Sequence, residues 1–150
     1  MVDTLLKPRN IIFATILYCA LLFSSHAIFA GSAWSPEGYF SVYGYNYSNK
    51  SFISTSSSTY NGWTWLGASN KMPPAGYMGA QTRIYNDAND ALVASSTMTY
   101  STQDAWSMGS DGCFRSVSFG SYYSKGLTRV YNGNGYESYN SFQSPTQTVK

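Results

Sequence analysis

Six carboxylates, one cysteine and no histidine are what the chain offers for chemistry once its first thirty residues are set aside. The carboxylates are Glu37, Asp87, Asp90, Asp104, Asp111 and Glu137, and the cysteine is Cys113. Serine and cysteine are weak nucleophiles without an adjacent base, and neither a Ser-His-Asp triad nor a Cys-His pair can be assembled from this set. Zinc and copper sites draw on His and Cys, of which a single Cys is available. Glycoside hydrolysis needs two carboxylates across a cleft. Glu37 beside Pro36 and Glu137 on a hairpin arm read instead as solvated surface charge. The run "NDAND" (residues 86–90) has the oxygen content of a calcium loop but lacks its glycine and terminal glutamate, and turn formation accounts for the same residues. The expectation is a protein that is not an enzyme and uses no cofactor and no metal.

The N-terminal thirty residues differ in kind. Lys7 and Arg9 precede "IIFATILYCALLF" (residues 11–23), which carries no charge, and small residues follow with alanines at 27, 30 and 33. A basic start, an apolar run of ~7–15 residues and a small-residue end describe a secretory signal peptide, whose apolar run is shorter than the ~20 residues that span a bilayer. Residues 1–30 are therefore expected to form a signal helix removed on export, with cleavage after Ala27, Ala30 or Ala33. Residues 31–150 form a single β domain, and the location is secreted. Membrane contact is expected only through the leader.

Removal of the leader takes His26 and Cys19 with it. Cys113 is then an odd cysteine, which in a secreted protein signals either a small buried side chain or an intermolecular bridge, hence a Cys113-linked dimer. Seven cations stand against six carboxylates, a net of +1 without a basic cluster, so no nucleic-acid partner is expected. Charged residues are 11% of the chain against a usual ~25%. Serine, tyrosine, asparagine, glycine and threonine supply the polarity.

The elements that must position these residues read as strands throughout. Short runs of Tyr, Thr, Val, Phe, Ser and Trp are broken by Gly, Asn, Asp and Pro, the pattern of an all-β fold. About seven or eight short strands are expected, in a two-sheet antiparallel β-sandwich or, alternatively, a small closed β-barrel. "YFSVYGYNY" (residues 39–47) reads as one strand with Tyr39, Tyr43, Tyr45 and Tyr47 on one face. "SNKS" (residues 48–51) reads as a turn, and "CFRSVSFGSYY" (residues 113–123) as one alternating strand. "NDAND" and "NGNG" (residues 132–135) close two hairpins, the second with an Asn-Gly turn. "QSPTQTVK" (residues 143–150) reads as a loose tail.

Two segments resemble each other: "TRIYNDAND" from Thr82 and "TRVYNGNGY" from Thr128. In each, an Arg and a Tyr share the face opposite a β-branched residue, where the cation can lie over the ring. With Trp63 and Trp65 at i, i+2, and Trp34 and Trp106 besides, the chain is rich in side chains that are apolar on the face and polar at the tip. Tyr43, Tyr45, Tyr47, Trp63, Trp65, Arg83, Arg129 and Tyr131 are the candidate ligand-binding residues. The favoured ligand is a cell-surface or cell-wall glycan, whose flat ring faces stack on aromatic side chains. The alternative from another class is a secreted bacteriocin-like or toxin-like polypeptide acting on other cells. A third is edge-to-edge self-assembly of lightly charged strands.

Overall fold

The computed structural model describes residues 31–150; the expected signal helix over residues 1–30 lies outside them. The described residues are all-β, with fourteen strands and no helix. In chain order these are β1 (Ser32–Trp34), β2 (Gly38–Val42), β3 (Tyr45–Thr55), β4 (Thr59–Ala68), β5 (Met78–Gln81), β6 (Arg83–Asn86), β7 (Ala91–Ser95), β8 (Thr99–Tyr100), β9 (Ser107–Gly109), β10 (Cys113–Ser116), β11 (Gly120–Ser124), β12 (Leu127–Tyr131), β13 (Tyr136–Asn140) and β14 (Gln147–Val149). They make three antiparallel sheets. The first has six strands in the order β1-β3-β4-β10, with β2 also on β3 and β9 also on β4. The others run β14-β11-β6-β7 and β13-β12-β5-β8.

The two four-stranded sheets are joined end to end. Thr82 alone separates β5 from β6, and Lys125 and Gly126 separate β11 from β12. Across this seam the Lys125 N–H donates to the Arg83 carbonyl at 3.1 Å. Side-chain alternation passes through it unbroken: Met78, Ala80, Thr82 and Ile84 are buried on one side, Tyr122, Ser124, Gly126, Thr128 and Val130 on the other.

The core lies between the first sheet and the other two and is divided in two. One cluster joins Ile53 and Tyr60 to Ile84, Ala94, Cys113, Tyr122 and Val149. The other joins Val42, Tyr45, Tyr47 and Leu66 to Met78 and Val130. Between them runs a belt of buried hydroxyl and amide groups. Ser51 Oγ is hydrogen-bonded to Ser141 Oγ and accepts the Gly126 N–H at 2.8 Å, while Ser35 Oγ accepts the Ser51 N–H at 2.9 Å. Asn49 Nδ2 donates to Thr128 Oγ1 at 2.8 Å, and Ser110 Oγ accepts the Thr64 N–H at 2.9 Å and is hydrogen-bonded to Thr82 Oγ1. Buried polar groups must be partnered in this way, because an unpaired one costs roughly 1–3 kcal/mol.

Several local expectations are corrected. "YFSVYGYNY" is two strands. Tyr43 and Gly44 turn the chain with φ of 51° and 76°, the pair of positive values that a type I′ hairpin turn needs. Phe40 then pairs with Tyr47 and Val42 with Tyr45, so the tyrosine ladder is broken: Tyr39 is outside, and Tyr45 and Tyr47 are inside. "SNKS" is not a turn but the middle of β3, an eleven-residue strand. "CFRSVSFGSYY" crosses between sheets, as β10 on β4 and then β11 on β6. The tail is not loose: β14 pairs with β11, and Val149 is fully buried in the first core cluster. Both hairpins are present. In "NDAND" the Asn86 and Asn89 side-chain oxygens accept the N–H groups of Ala88 and Ala91 at 2.8 and 3.1 Å. In "NGNG" the Asn132 N–H donates to the Gly135 carbonyl at 3.1 Å inside the last ladder pair, Tyr131 with Tyr136, and Gly133 but not Asn134 has positive φ, so the turn is not of type I′. The strand count exceeds the expected seven or eight because long central strands are flanked by pairs of short ones.

The belt leaves no room for a side chain at Gly126. A Cβ there would sit 1.8 Å from Thr64 Oγ1 and 2.6 Å from Thr64 Cβ. Gly126→Ala is expected to lower the unfolding free energy by about 3 kcal/mol, the upper range for overpacking, in urea titrations. Gly109→Ala, where the nearest atom to a new Cβ is 4.0 Å away, is expected to change it by less than about 0.5 kcal/mol. Equal losses at both sites would show that the belt does not confine the chain.

Candidate functional site

Alternation in β3 and β4 sends one set of side chains to the core and the other out of the first sheet. The outward set includes Phe52, Trp63 and Trp65. Trp34, Phe52 and Trp63 lie in one row across β1, β3 and β4, and Lys50 and Trp65 in the next. Phe52 and Trp63 stack at 4.2 Å between centroids, and Trp34 meets Phe52 at 4.9 Å. Lys50 Nζ lies 5.0 Å from the Trp34 ring and 5.0 Å from the Trp65 ring, so a single cation is held between two indoles. Trp65 lies flat along the sheet over Gly67: a Cβ on Gly67 would come within 2.2 Å of the indole. On the same face, Tyr39 opposite Ser48 is 77% exposed, and Phe114 opposite Asn61 is 63% exposed.

This surface joins Trp63 and Trp65 as their spacing implies and adds residues that sequence reasoning did not gather with them. Phe52 and Lys50 were hidden by reading "SNKS" as a turn. Phe114 was hidden by running β10 into β11. The alternation Ser48, Lys50, Phe52, Ser54 is the signal that exposes the first pair. Trp106 is exposed but sits beside Ala68, whose N–H it binds through its carbonyl at 2.8 Å, off this face.

The other candidates are divided. Tyr45 and Tyr47 are 9% and 2% exposed, and neither offers a ring face to a ligand. Lys71 Nζ covers the Tyr45 ring at 4.0 Å. Tyr43, at its turn, meets Tyr131 edge-on at 5.7 Å, and Tyr77 packs on Tyr131 at 4.6 Å. Tyr136 extends this group to Tyr100, whose hydroxyl accepts Arg129 Nη1 at 3.4 Å. Tyr43, Arg129 and Tyr131 thus belong to a tyrosine cluster at one end of the molecule. Arg83 stands elsewhere, on β6 beside Tyr85, with Nε donating to Gln81 Oε1 at 3.1 Å.

Cys113 is buried in the first core cluster, and burial pushes its thiol pKa up against the opposing effect of Arg115. A Cys113-linked dimer would require β10 to open first.

The chain matches no protein-family model, no curated protein and no solved structure.

Two buried phenols give the fold an alkaline limit. Burial, reinforced by Tyr45 and Tyr77, pushes Tyr47 up to about 12, and among the described residues its hydroxyl has no hydrogen-bond partner. Burial and the 2.9 Å hydrogen bond to Asp90 push Tyr123 up to about 12. Unfolded tyrosine ionises near ~10. Both phenols are held neutral by the fold, so their contribution is whole below pH ~10 and is lost as pH rises through about 12. Urea titrations across that window are expected to show falling stability, with a shallower fall in Tyr47→Phe and Tyr123→Phe. At neutral pH Tyr47→Phe is expected to gain about 1 kcal/mol by removing an unpartnered hydroxyl. A loss there would mean that a water satisfies it.

Proposed function

We propose that the protein is a small secreted, non-enzymatic β-sandwich module that binds glycan on the aromatic outer face of its first sheet. The observation that carries this reading is the row Trp34–Phe52–Trp63 with Trp65 laid flat over Gly67 beside it. A monomeric domain rarely leaves so many large rings on one sheet face, and a contiguous apolar patch on a soluble protein generally marks a binding surface. Indole and phenol rings stack on the apolar faces of sugar rings. Lys50, Ser48, Ser54 and Asn61 border those rings with hydrogen-bonding groups suited to sugar hydroxyls. The sandwich reading treats the two four-stranded sheets as one layer. Each layer then has two long central strands, β3 with β4 and β5–β6 with β11–β12, and each central pair is flanked by two short strands per side. A rigid platform of this kind suits recognition better than catalysis, and the carboxylates do not converge on the aromatic face.

Retention of the protein on insoluble cell-wall polysaccharides tests the reading. Trp63→Ala and Trp65→Ala are each expected to weaken retention about tenfold, the worth of one aromatic stacking contact. Tyr47→Phe, buried behind the sheet, is expected to leave it unchanged. Failure of the protein to bind any polysaccharide, or undiminished binding by both tryptophan variants, would rule the platform out.

Secretion carries its own check. Gly31 is already tied to Thr55 by a 2.8 Å backbone hydrogen bond, and β1 begins at Ser32. Cleavage after Ala33 would remove most of β1, so the exported protein is expected to begin at Ile28 or Gly31 by intact mass. A mature chain beginning at Trp34, or retaining the leader, would contradict this.

A further inference from the structure

On the outward side of the joined four-stranded sheets, two cations face each other. Tyr85 is opposite Tyr123 and Ile84 opposite Ser124, so the next pair along the ladder is Arg83 with Lys125. The 3.1 Å hydrogen bond from Lys125 N–H to the Arg83 carbonyl fixes that register. Directly opposed side chains on one face have Cβ atoms ~4.5–5.5 Å apart, and like charges in that position destabilise a sheet. Folding does not favour this pairing; an anion placed between the two would.

The surroundings suit such an anion when it is carried on a ring. Arg83 and Lys125 border an open groove of about 420 Å³, within the ~300–1,000 Å³ of small-molecule sites. One end is walled by Tyr85 and Tyr123, stacked at 5.3 Å and 11°. Asn140 and Gln143 also line the groove. The carboxylate present, Asp90, accepts the Tyr123 hydroxyl at 2.9 Å, which holds it at the tyrosine end. Gln81 Oε1 accepts Arg83 Nε at 3.1 Å, which orients the guanidinium and leaves its Nη edge for a two-pronged contact with a carboxylate.

The geometry points to this groove as a second saccharide site, selective for a sugar bearing a carboxylate, a uronate unit. It rests on the glycan-binding reading for the class of ligand, but uses different residues on a different sheet.

Three probes of equal length test it by calorimetry: a galacturonate oligosaccharide, its methyl ester, and a sulfated galactose oligosaccharide. The ester keeps the ring and removes the charge. The galacturonate is expected to bind at least about tenfold tighter than its ester, and more weakly as salt rises. Arg83→Gln and Lys125→Gln are expected to abolish that preference. Each variant without ligand is expected to melt no lower than the wild type, since a like-charge pair has been relieved. Lys125 is exposed, so Lys125→Gln keeps the test open should Arg83→Gln fold poorly. Equal binding of acid and ester, a preference that survives in Lys125→Gln, or binding of the sulfated probe alone would each overturn the assignment. The Trp63→Ala variant separates the two sites. If it loses neutral polysaccharide but keeps the uronate preference, both readings hold. If the uronate preference is absent while tryptophan-dependent retention persists, only the groove falls. If uronate binding depends on Lys125 while no polysaccharide binding depends on the tryptophans, only the platform falls.

Discussion

The hydroxyl belt at the waist of the molecule sets the register of everything else. Apolar burial is non-directional, and either core cluster would tolerate some sliding of one sheet over another. The belt would not. Ser51 uses its hydroxyl for both Ser141 and the Gly126 N–H, and its own N–H for Ser35. Asn49 reaches Thr128, whose hydroxyl in turn donates to the Tyr139 carbonyl at 3.0 Å. A slip of one residue in β3 would turn these groups outward and bring Lys50 and Phe52 into the core. Partnered buried hydroxyls contribute little net stability, but unpartnered ones are costly, so the belt selects one alignment from many.

The same constraint explains why tryptophan is outside. At the waist the sheets approach closely over small residues. A Cβ on Gly126 would sit 1.8 Å from Oγ1 of Thr64, a residue of the facing sheet. Indoles do not fit there. Phenols fit at the two ends, where Tyr60 packs on Tyr122 at 4.7 Å and Tyr45 on Tyr47 at 5.9 Å. The buried tyrosines of the two core clusters lie at these ends, and Trp34, Trp63 and Trp65 lie on the outer face of β1 and β4. The platform follows from how the interior is packed.

Composition and short-range pattern made the β class, the two polar hairpins and the shared face of Trp63 and Trp65 legible in the sequence. These depend on residues within a few positions of one another. The Tyr43–Gly44 turn escaped because tyrosine is an unusual residue at positive φ, and the hairpin geometry supplies the compensation that propensity does not show. The sheet crossing between Ser116 and Gly120 escaped because alternation continues through it in the sequence while the pairing partner changes from β4 to β6. β14 escaped because a terminal segment rich in Gln, Thr and Pro carries little strand signal, and only the place prepared for Val149 beside Ile53 and Tyr122 draws it in. The last two misses were long-range contacts that local pattern does not encode.

The paired Thr-Arg-aliphatic-Tyr segments show how one pattern diverges by context. They fall on neighbouring antiparallel strands joined across the Lys125–Arg83 seam, and their Arg and Tyr side chains share the outer face. At one end Tyr131 stands opposite Tyr77, and Arg129 opposite Gly79. The bare glycine lets the Tyr100 ring lie across the strand, its Cδ1 and Cε1 each 2.8 Å from where a Cβ would be, and Tyr100 accepts the arginine Nη1. That arginine finds its partners within the protein, Tyr100 and, through Nε at 3.3 Å, Ser138 Oγ. At the other end the corresponding arginine, Arg83, faces Lys125 instead of a glycine. One copy of the pattern is closed by its own fold, and the other is the one that the proposed uronate site uses.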